Sequence, residues 1–187
     1  MMRRLVRAAM SDPRATLTVA VRPSDDPERV AEAVNALFPD LQPPELPELG
    51  FPGMENSHIW KVEEVDLRPF LERIEKQRIM DTALDAMALG LASSNGDTND
   101  ATSSADSTKF SLSRQAALAG KVAFVLPGER ALGGTIKVEL EGPELAEWIE
   151  QVTWHPGRRE IPRSISDEVA MRADGEVTEW FDEETQN

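Results

Sequence analysis

The segment from Lys109 to Gly142 constrains the fold of this chain more than any other, because it combines three strand patterns with one short helix. Ser113 is placed to cap that helix, and Gly120 to end it in a left-handed conformation. The short connection from Leu126 to Thr135 predicts that the last two strands pair antiparallel. Apolar residues alternate with polar ones in all three strand patterns, as in strands with one buried face: Phe110, Leu112, Val122, Phe124, Leu126, Ile136, Val138 and Leu140.

An earlier strand and helix are also marked by the sequence. Residues alternate strictly from Thr16 to Arg22, which predicts a strand with one face on a core. Asp26 then precedes Pro27, a residue that suits the first helical position because its missing N–H is not needed there. An apolar stripe follows, and Pro39 stops the helix.

A second strand and a longer helical region follow a proline-rich connection. The strand is predicted at His58, Trp60 and Val62, and Asp66 is expected to cap the next helix. The apolar stripe of this helix changes phase across residues 75–78. The helix therefore either breaks there, with a second helix beginning near Arg78, or continues and meets another subunit. We favour the break.

These patterns predict an α+β fold, with a mixed or antiparallel sheet of about four to five strands and helices packed on one face. We expect a flexible N-terminus at residues 1–13, a single domain at 14–153 and an acidic C-terminal tail at 154–187. Residues 93–108 contain nothing larger than threonine and predict a disordered loop insertion. Gly142 and Pro143 open a last helix with a buried stripe that begins at Leu145.

The composition of the chain predicts a protein from a cytoplasm of high salt concentration. There are 34 acidic residues against 20 basic ones, the net charge is -14, and arginine far outnumbers lysine. Distributed acidity keeps a protein hydrated in molar salt, where the Debye length is about 3 Å. We therefore expect a halophilic, cytoplasmic protein, with either Met1 or Met10 as the start. No apolar run reaches the length of a membrane span, and there is no cysteine.

Three segments together resemble a known family. They are TLTVAVRPSDDPERVAEAVNALFP, FSLSRQAALAGKVAF and LGGTIKVELEG, in this order, within a match from Thr16 to Val152. The pattern is similar to that of an archaeal family catalogued as uncharacterised protein family 0201. The chain departs from it at Ser113 and Arg114, where Asn-Lys would be expected. The resemblance implies a fold like that of the 5S-rRNA-binding protein of the large ribosomal subunit, a cytoplasmic location and a role in binding RNA.

The residues themselves suggest where RNA would bind. No acid lies between Thr108 and Gly128, although the chain as a whole is acidic and thus has the wrong sign for phosphate. We predict a structured, rRNA-like RNA as partner, without small-molecule substrate. The predicted RNA-binding residues are Lys109, Arg114, Gln115, Lys121, Lys137 and Arg22. The alternative is a homodimeric interaction or assembly module without nucleic acid. It is motivated by the phase change of the apolar stripe near Arg78, since the second half of a continuous helix would face another subunit.

No catalytic or metal-ligating pattern is visible in the sequence. The two histidines, His58 and His155, show neither a metal-ligand spacing nor a histidine-carboxylate spacing. Gly133 and Gly134 lack the lysine of a phosphate-binding loop and indicate a turn. We therefore expect a protein that is not an enzyme and needs no cofactor.

Overall fold

The computed structural model describes residues 11–43, 57–94 and 106–165, and these form a five-stranded antiparallel sheet with helices packed on it. The strand order is β2-β1-β5-β3-β4. The elements in chain order are β1 (Arg14–Val21), α1 (Pro27–Leu37), β2 (His58–Glu63), α2 (Arg68–Gln77), α3 (Met80–Ser94), β3 (Asp106–Ser113), α4 (Arg114–Leu118), β4 (Phe124–Val125), β5 (Thr135–Gly142), α5 (Leu145–Val152) and a short 3-10 helix (Pro156–Arg159). The predicted α+β class is confirmed.

One face of the sheet carries the core. The alternation predicted for β1 is confirmed, and the strand register carries it across the sheet. Val19 lies between Trp60 of β2 and Ile136 of β5, and all three side chains are buried. Removing such a side chain from water contributes about 1.5–3 kcal/mol. The helices lie against this face, so the other face of the sheet is left open.

The helices begin and end close to where the sequence placed them. Asp26 caps α1, its carboxylate accepting a hydrogen bond from the N–H of Glu28 at 3.0 Å. The break between α2 and α3 is confirmed, and Arg78 adopts a left-handed conformation there, with φ of 58°. The predicted cap at Asp66 is one residue early, because Leu67 occupies the capping position of α2. The Asp66 carboxylate nevertheless accepts the N–H of Arg68.

The pairing predicted for β4 was wrong. β4 pairs with β3, where Phe124 lies opposite Leu112, and it does not pair with β5. The reason is that both edges of β5 are occupied, by β1 on one side and by β3 on the other. β4 therefore becomes a two-residue strand at the edge of the sheet.

Two predicted boundaries need correction. The two ends of the loop expected at residues 93–108 belong to regular elements instead, because α3 extends to Ser94 and β3 begins at Asp106. Thr108 is fully buried, and its hydroxyl donates to the carbonyl of Met87 at 2.6 Å. The acidic tail expected from residue 154 begins with a packed segment, in which Arg158 is buried. The remainder of the predicted loop, residues 95–105, and of the predicted tail, residues 166–187, lies outside the described residues. Residues 1–10 of the predicted flexible N-terminus also lie outside them.

The helices of the described ranges include none that is long and apolar enough to cross a bilayer.

Candidate nucleic-acid interface

The open face of the sheet is the surface on which the strands place their polar side chains. It faces away from the helices because β1, β3 and β5 alternate between core and solvent. Across its centre, Thr18 of β1 is paired with Lys61 of β2 on one side and Lys137 of β5 on the other. Lys137 is paired in turn with Ser111 of β3. Two lysines and two hydroxyls thus form one row across four strands.

Charge is divided unevenly over this open face. One half carries Glu63, Glu139 and Glu141. The other half, which we call the acid-free half, has no carboxylate on its strand residues, although the chain has a net charge of -14. The acid-free half consists of Ile59, Lys61, Thr18, Ala20, Thr135, Lys137, Ser111 and Ser113.

Ion pairs neutralise the cations near the acidic half. Lys109 lies 2.8 Å from Glu139, and this hydrogen bond raises the pKa of Lys109 above its usual value. Lys61 lies 2.7 Å from Glu63, whose other carboxylate oxygen accepts from Arg14 at 3.0 Å. Lys137 is exposed and makes no ion pair with any residue in the described ranges. It is therefore the cation of the open face that is most available to a phosphate.

Arg114 is not part of an exposed patch, contrary to the sequence prediction. Its side chain is only 5% exposed. It donates to the carbonyls of Ala20 at 3.1 Å and Gly133 at 2.5 Å, and it pairs with Asp25 at 2.7 Å. Burial raises the pKa of the Asp25 carboxyl, but hydrogen bonds from the Arg22 N–H and from Arg114 outweigh burial and lower this pKa. Arg114 therefore joins β1, the turn after it and the β4–β5 connection.

The other predicted residues fall on different sides of the sheet. Arg22 is exposed directly after β1, at the end where the acid-free half lies. Gln115 is on α4 and lines a groove against α1. Lys121 lies beside α2. The next residue along the chain, Val122, forms hydrogen bonds through both its N–H and its C=O with the side chain of Gln77 in α2. The structure thus groups Lys109, Lys137 and Arg22, but not Gln115 or Lys121, with the open face.

Sequence reasoning missed a cluster of three polar side chains, Asp81, His155 and Arg158, where α3 meets the segment that follows α5. The Nε2 of His155 lies 3.0 Å from a carboxylate oxygen of Asp81, and the Nε of Arg158 donates to the other oxygen at 2.9 Å. Spacing rules gave no signal for this cluster, because 74 positions separate Asp81 from His155. No group of three or more residues suited to a metal ion occurs within the residues that the structure describes.

No family model and no curated protein matches this chain. Solved structures do match. An uncharacterised UPF0201 protein is 18% identical, with a TM-score of 0.54 over 82% of this chain and 97% of the other. The UPF0201 protein from Methanococcus jannaschii is 22% identical, with a TM-score of 0.52 over 75% of this chain and 99% of the other. The resemblance to uncharacterised protein family 0201 is confirmed at the level of the fold.

Proposed function

We propose that this chain, which shares the fold of the UPF0201 proteins, binds the phosphate backbone of structured RNA through the acid-free half of its open sheet face. The observation that carries the proposal is the absence of carboxylate side chains from the strand residues of the acid-free half. In a chain with a net charge of -14, four adjacent strands place Lys61, Thr18, Lys137 and Ser111 in one row, and none of the strand residues that make up the acid-free half carries a carboxylate.

The row from Lys61 to Ser111 has the chemistry of a phosphate contact. Lysine ammonium groups and serine or threonine hydroxyls are common donors to phosphate oxygens. Neighbouring strands lie about 4.8 Å apart, so Lys61 and Lys137, separated by Thr18, stand roughly 10 Å apart at their backbones. Arg22 extends the positive charge beyond the end of β1.

The open face favours recognition of shape over recognition of bases. Among the described strand residues, the aromatic rings of Trp60 and Phe110 are buried in the core, and the half-buried Phe124 packs against the same core rather than standing on the open face. Single-stranded RNA is usually held by stacking on exposed aromatic rings, whereas duplex RNA is held through phosphates and 2′-hydroxyls. We therefore propose a duplex-containing RNA, in keeping with the rRNA-like partner that the family resemblance implies.

The test is a double charge reversal, Lys61→Glu with Lys137→Glu. Its matched control is Lys76→Glu with Lys121→Glu, which changes the net charge equally on the helix side of the sheet. Electrophoretic mobility shifts with total cellular RNA, and then with its retained fraction, are measured at several KCl concentrations. We expect the open-face variant to lose at least about tenfold in affinity and about one unit of the salt slope, because Lys137 makes no ion pair within the described ranges whereas Lys61 is already paired with Glu63.

Two results would contradict the proposal. If the control variant loses as much affinity as the open-face variant, only net charge matters and the face is not the site. If the wild-type chain retains no RNA even at low salt, the chain does not bind RNA.

The alternative function is that of a homodimer that binds no nucleic acid. The phase change of the apolar stripe near Arg78, which first suggested it, no longer requires a second subunit. The apolar stripe of α3 is explained within one chain, because Leu84 and Met87 lie in the core. One exposed apolar side chain on the open face, Ile59 at 56% exposure, still favours a contact between two chains. Light scattering in molar KCl decides this point, since a monomer mass would exclude the homodimer.

A further inference from the structure

Trp154 is the one exposed aromatic side chain among the described residues. Its exposed fraction is 47%, whereas Trp60 and Trp148 are buried. The guanidinium of Arg159 lies over the Trp154 ring, 5.4 Å from its centre. This contact occupies one face of the indole, and an aromatic ring has a second face on which a planar partner can stack.

A cavity of about 640 Å³ lies beside this indole. Its walls are the junction between α2 and α3 and the segment from Trp154 to Pro156. Ile79 and Met80 supply apolar surface, and Asp81 and His155 supply polar groups. Pockets of about 300–1,000 Å³ that are mostly apolar with a few fixed polar groups are typical of sites for small molecules and cofactors.

The polar wall of the cavity is held in one geometry. Each oxygen of the Asp81 carboxylate accepts one hydrogen bond, from His155 and from the buried Arg158. A carboxylate has about four acceptor positions, so Asp81 retains capacity for a further donor. Burial raises the pKa of Asp81, but the bonds from Arg158 and His155 outweigh burial and lower it, which keeps the carboxylate ionised.

The rim of the cavity offers a charge for a phosphate. Arg78 is exposed, lines the cavity and makes no ion pair inside the described part of the chain. Its left-handed backbone places it at the turn between α2 and α3. Glu75 lines the same rim, so the rim as a whole is not strongly basic. A single cation such as Arg78 suits one phosphate group rather than the several phosphates of a nucleic-acid backbone.

We propose that this cavity binds a nucleobase that carries an exocyclic amino group, presented as a nucleotide. In this proposal the base stacks on the Trp154 indole opposite Arg159, its amino group donates to Asp81, and Arg78 contacts the phosphate. Carboxylates are the acceptors that proteins use for the amino group of cytosine, and base stacking on an aromatic ring is tolerant of base identity. The base comes either from a free nucleotide or from RNA, and both sources share this chemistry.

Isothermal titration calorimetry with AMP, CMP, GMP and UMP, and with a short single-stranded oligoribonucleotide of mixed sequence, tests the site. We expect the three amino-bearing nucleotides to bind more tightly than UMP. Stacking contributes about 1–3 kcal/mol per base, which corresponds to about 5- to 150-fold in affinity, so Trp154→Ala should weaken binding by at least about fivefold. Leu132→Ala, at a leucine that is 79% exposed and does not line this cavity, is the matched control and should leave affinity unchanged.

Each further outcome decides the proposal. Binding of mononucleotides supports a free nucleotide as the source, and binding of the oligonucleotide alone supports RNA. No heat with any of these ligands, unchanged affinity in Trp154→Ala, or tightest binding of UMP would overturn the proposal. The open-face variant Lys61→Glu with Lys137→Glu should bind mononucleotides normally, so failure of the proposed RNA interface and failure of this site are separable.

Discussion

At the scale of single residues, Arg114 shows how burial changes the role of a charged side chain. Its sequence position, at the start of a short helix in an acid-free run, suggested contact with phosphate. Its guanidinium instead bonds two carbonyls and the Asp25 carboxylate. A side chain at Gly134 would collide with it, since a Cβ there would lie 2.8 Å from both Cζ and Nε of Arg114. Gly134, directly before β5, thus makes room for the Arg114 side chain.

Asp25→Asn is expected to destabilise the fold by about 3 kcal/mol at neutral pH, because it leaves a buried guanidinium without its counter-charge. Urea denaturation measures this difference. Because the folded pKa of Asp25 is below its ordinary 3.8, the contribution of the pair is present above that value and is lost as pH falls through the folded pKa.

The difference between wild type and variant should accordingly shrink as the pH is lowered below 3.8. Glu63→Gln, at an exposed pair, is the control and should change stability less. An Asp25→Asn protein as stable as the Glu63→Gln protein would show that Arg114 does not depend on its carboxylate.

At the scale of elements, the contact between α3 and β3 is set by a glycine. Gly90 interrupts an otherwise good helix sequence, yet it sits where α3 comes closest to the strand. A Cβ at this position would lie 2.6 Å from the carbonyl oxygen and 2.7 Å from the nitrogen of Lys109, and it would also collide with the hydroxyl of Thr108. The hydrogen bond from that hydroxyl to Met87 depends on the same close approach.

Gly90→Ala should therefore destabilise the protein by about 1–2 kcal/mol, even though alanine is the better helix former by about 1 kcal/mol. The atoms in its way include backbone, which cannot rotate aside. Thr82→Ala, at an exposed position of the same helix, is the control and should be neutral or slightly stabilising. Thermal denaturation compares the two. A Gly90→Ala protein that melts higher than wild type would mean that the helix and strand can separate without cost.

At the scale of the whole molecule, residues 154–165 join the C-terminal part of the chain to α3. Arg158 pairs with Asp81 at 2.9 Å, and Arg163 pairs with Asp85 at 2.8 Å. Burial raises the pKa of Asp85, and the charge of Arg163 only partly opposes this rise. The segment therefore supplies counter-charges to a helix that is otherwise buried.

A chain ending at Thr153 should be less stable than a chain ending at Ile165 by about 3 kcal/mol, because it leaves Asp81 and Asp85 without their arginines. Since both chains lack residues 166–187, the comparison isolates the segment. Asp85 can accept a proton once Arg163 is gone, so the shorter chain should recover part of the difference at acidic pH. Equal denaturation midpoints for the two chains would show that the segment contributes nothing.

Local pattern by itself determined most of the elements. Alternation identified β1, β2, β3 and β5, and the proline after Asp26 located α1. The phase change near Arg78 predicted the break between α2 and α3, because a stripe that rotates cannot face one core along a straight helix. These are properties of neighbouring residues, which is why sequence sufficed.

Only the tertiary structure decided which residues meet. Strand pairing placed β4 beside β3, buried Arg114 against Asp25 and brought His155 to Asp81, contacts between positions far apart in the chain. It also sorted one acid-free run onto two sides of a sheet, so that Lys109 lies on the open face and Lys121 beside α2. The physical reason is that burial and charge pairing depend on distance in space, while a periodic pattern reports only which way each side chain points.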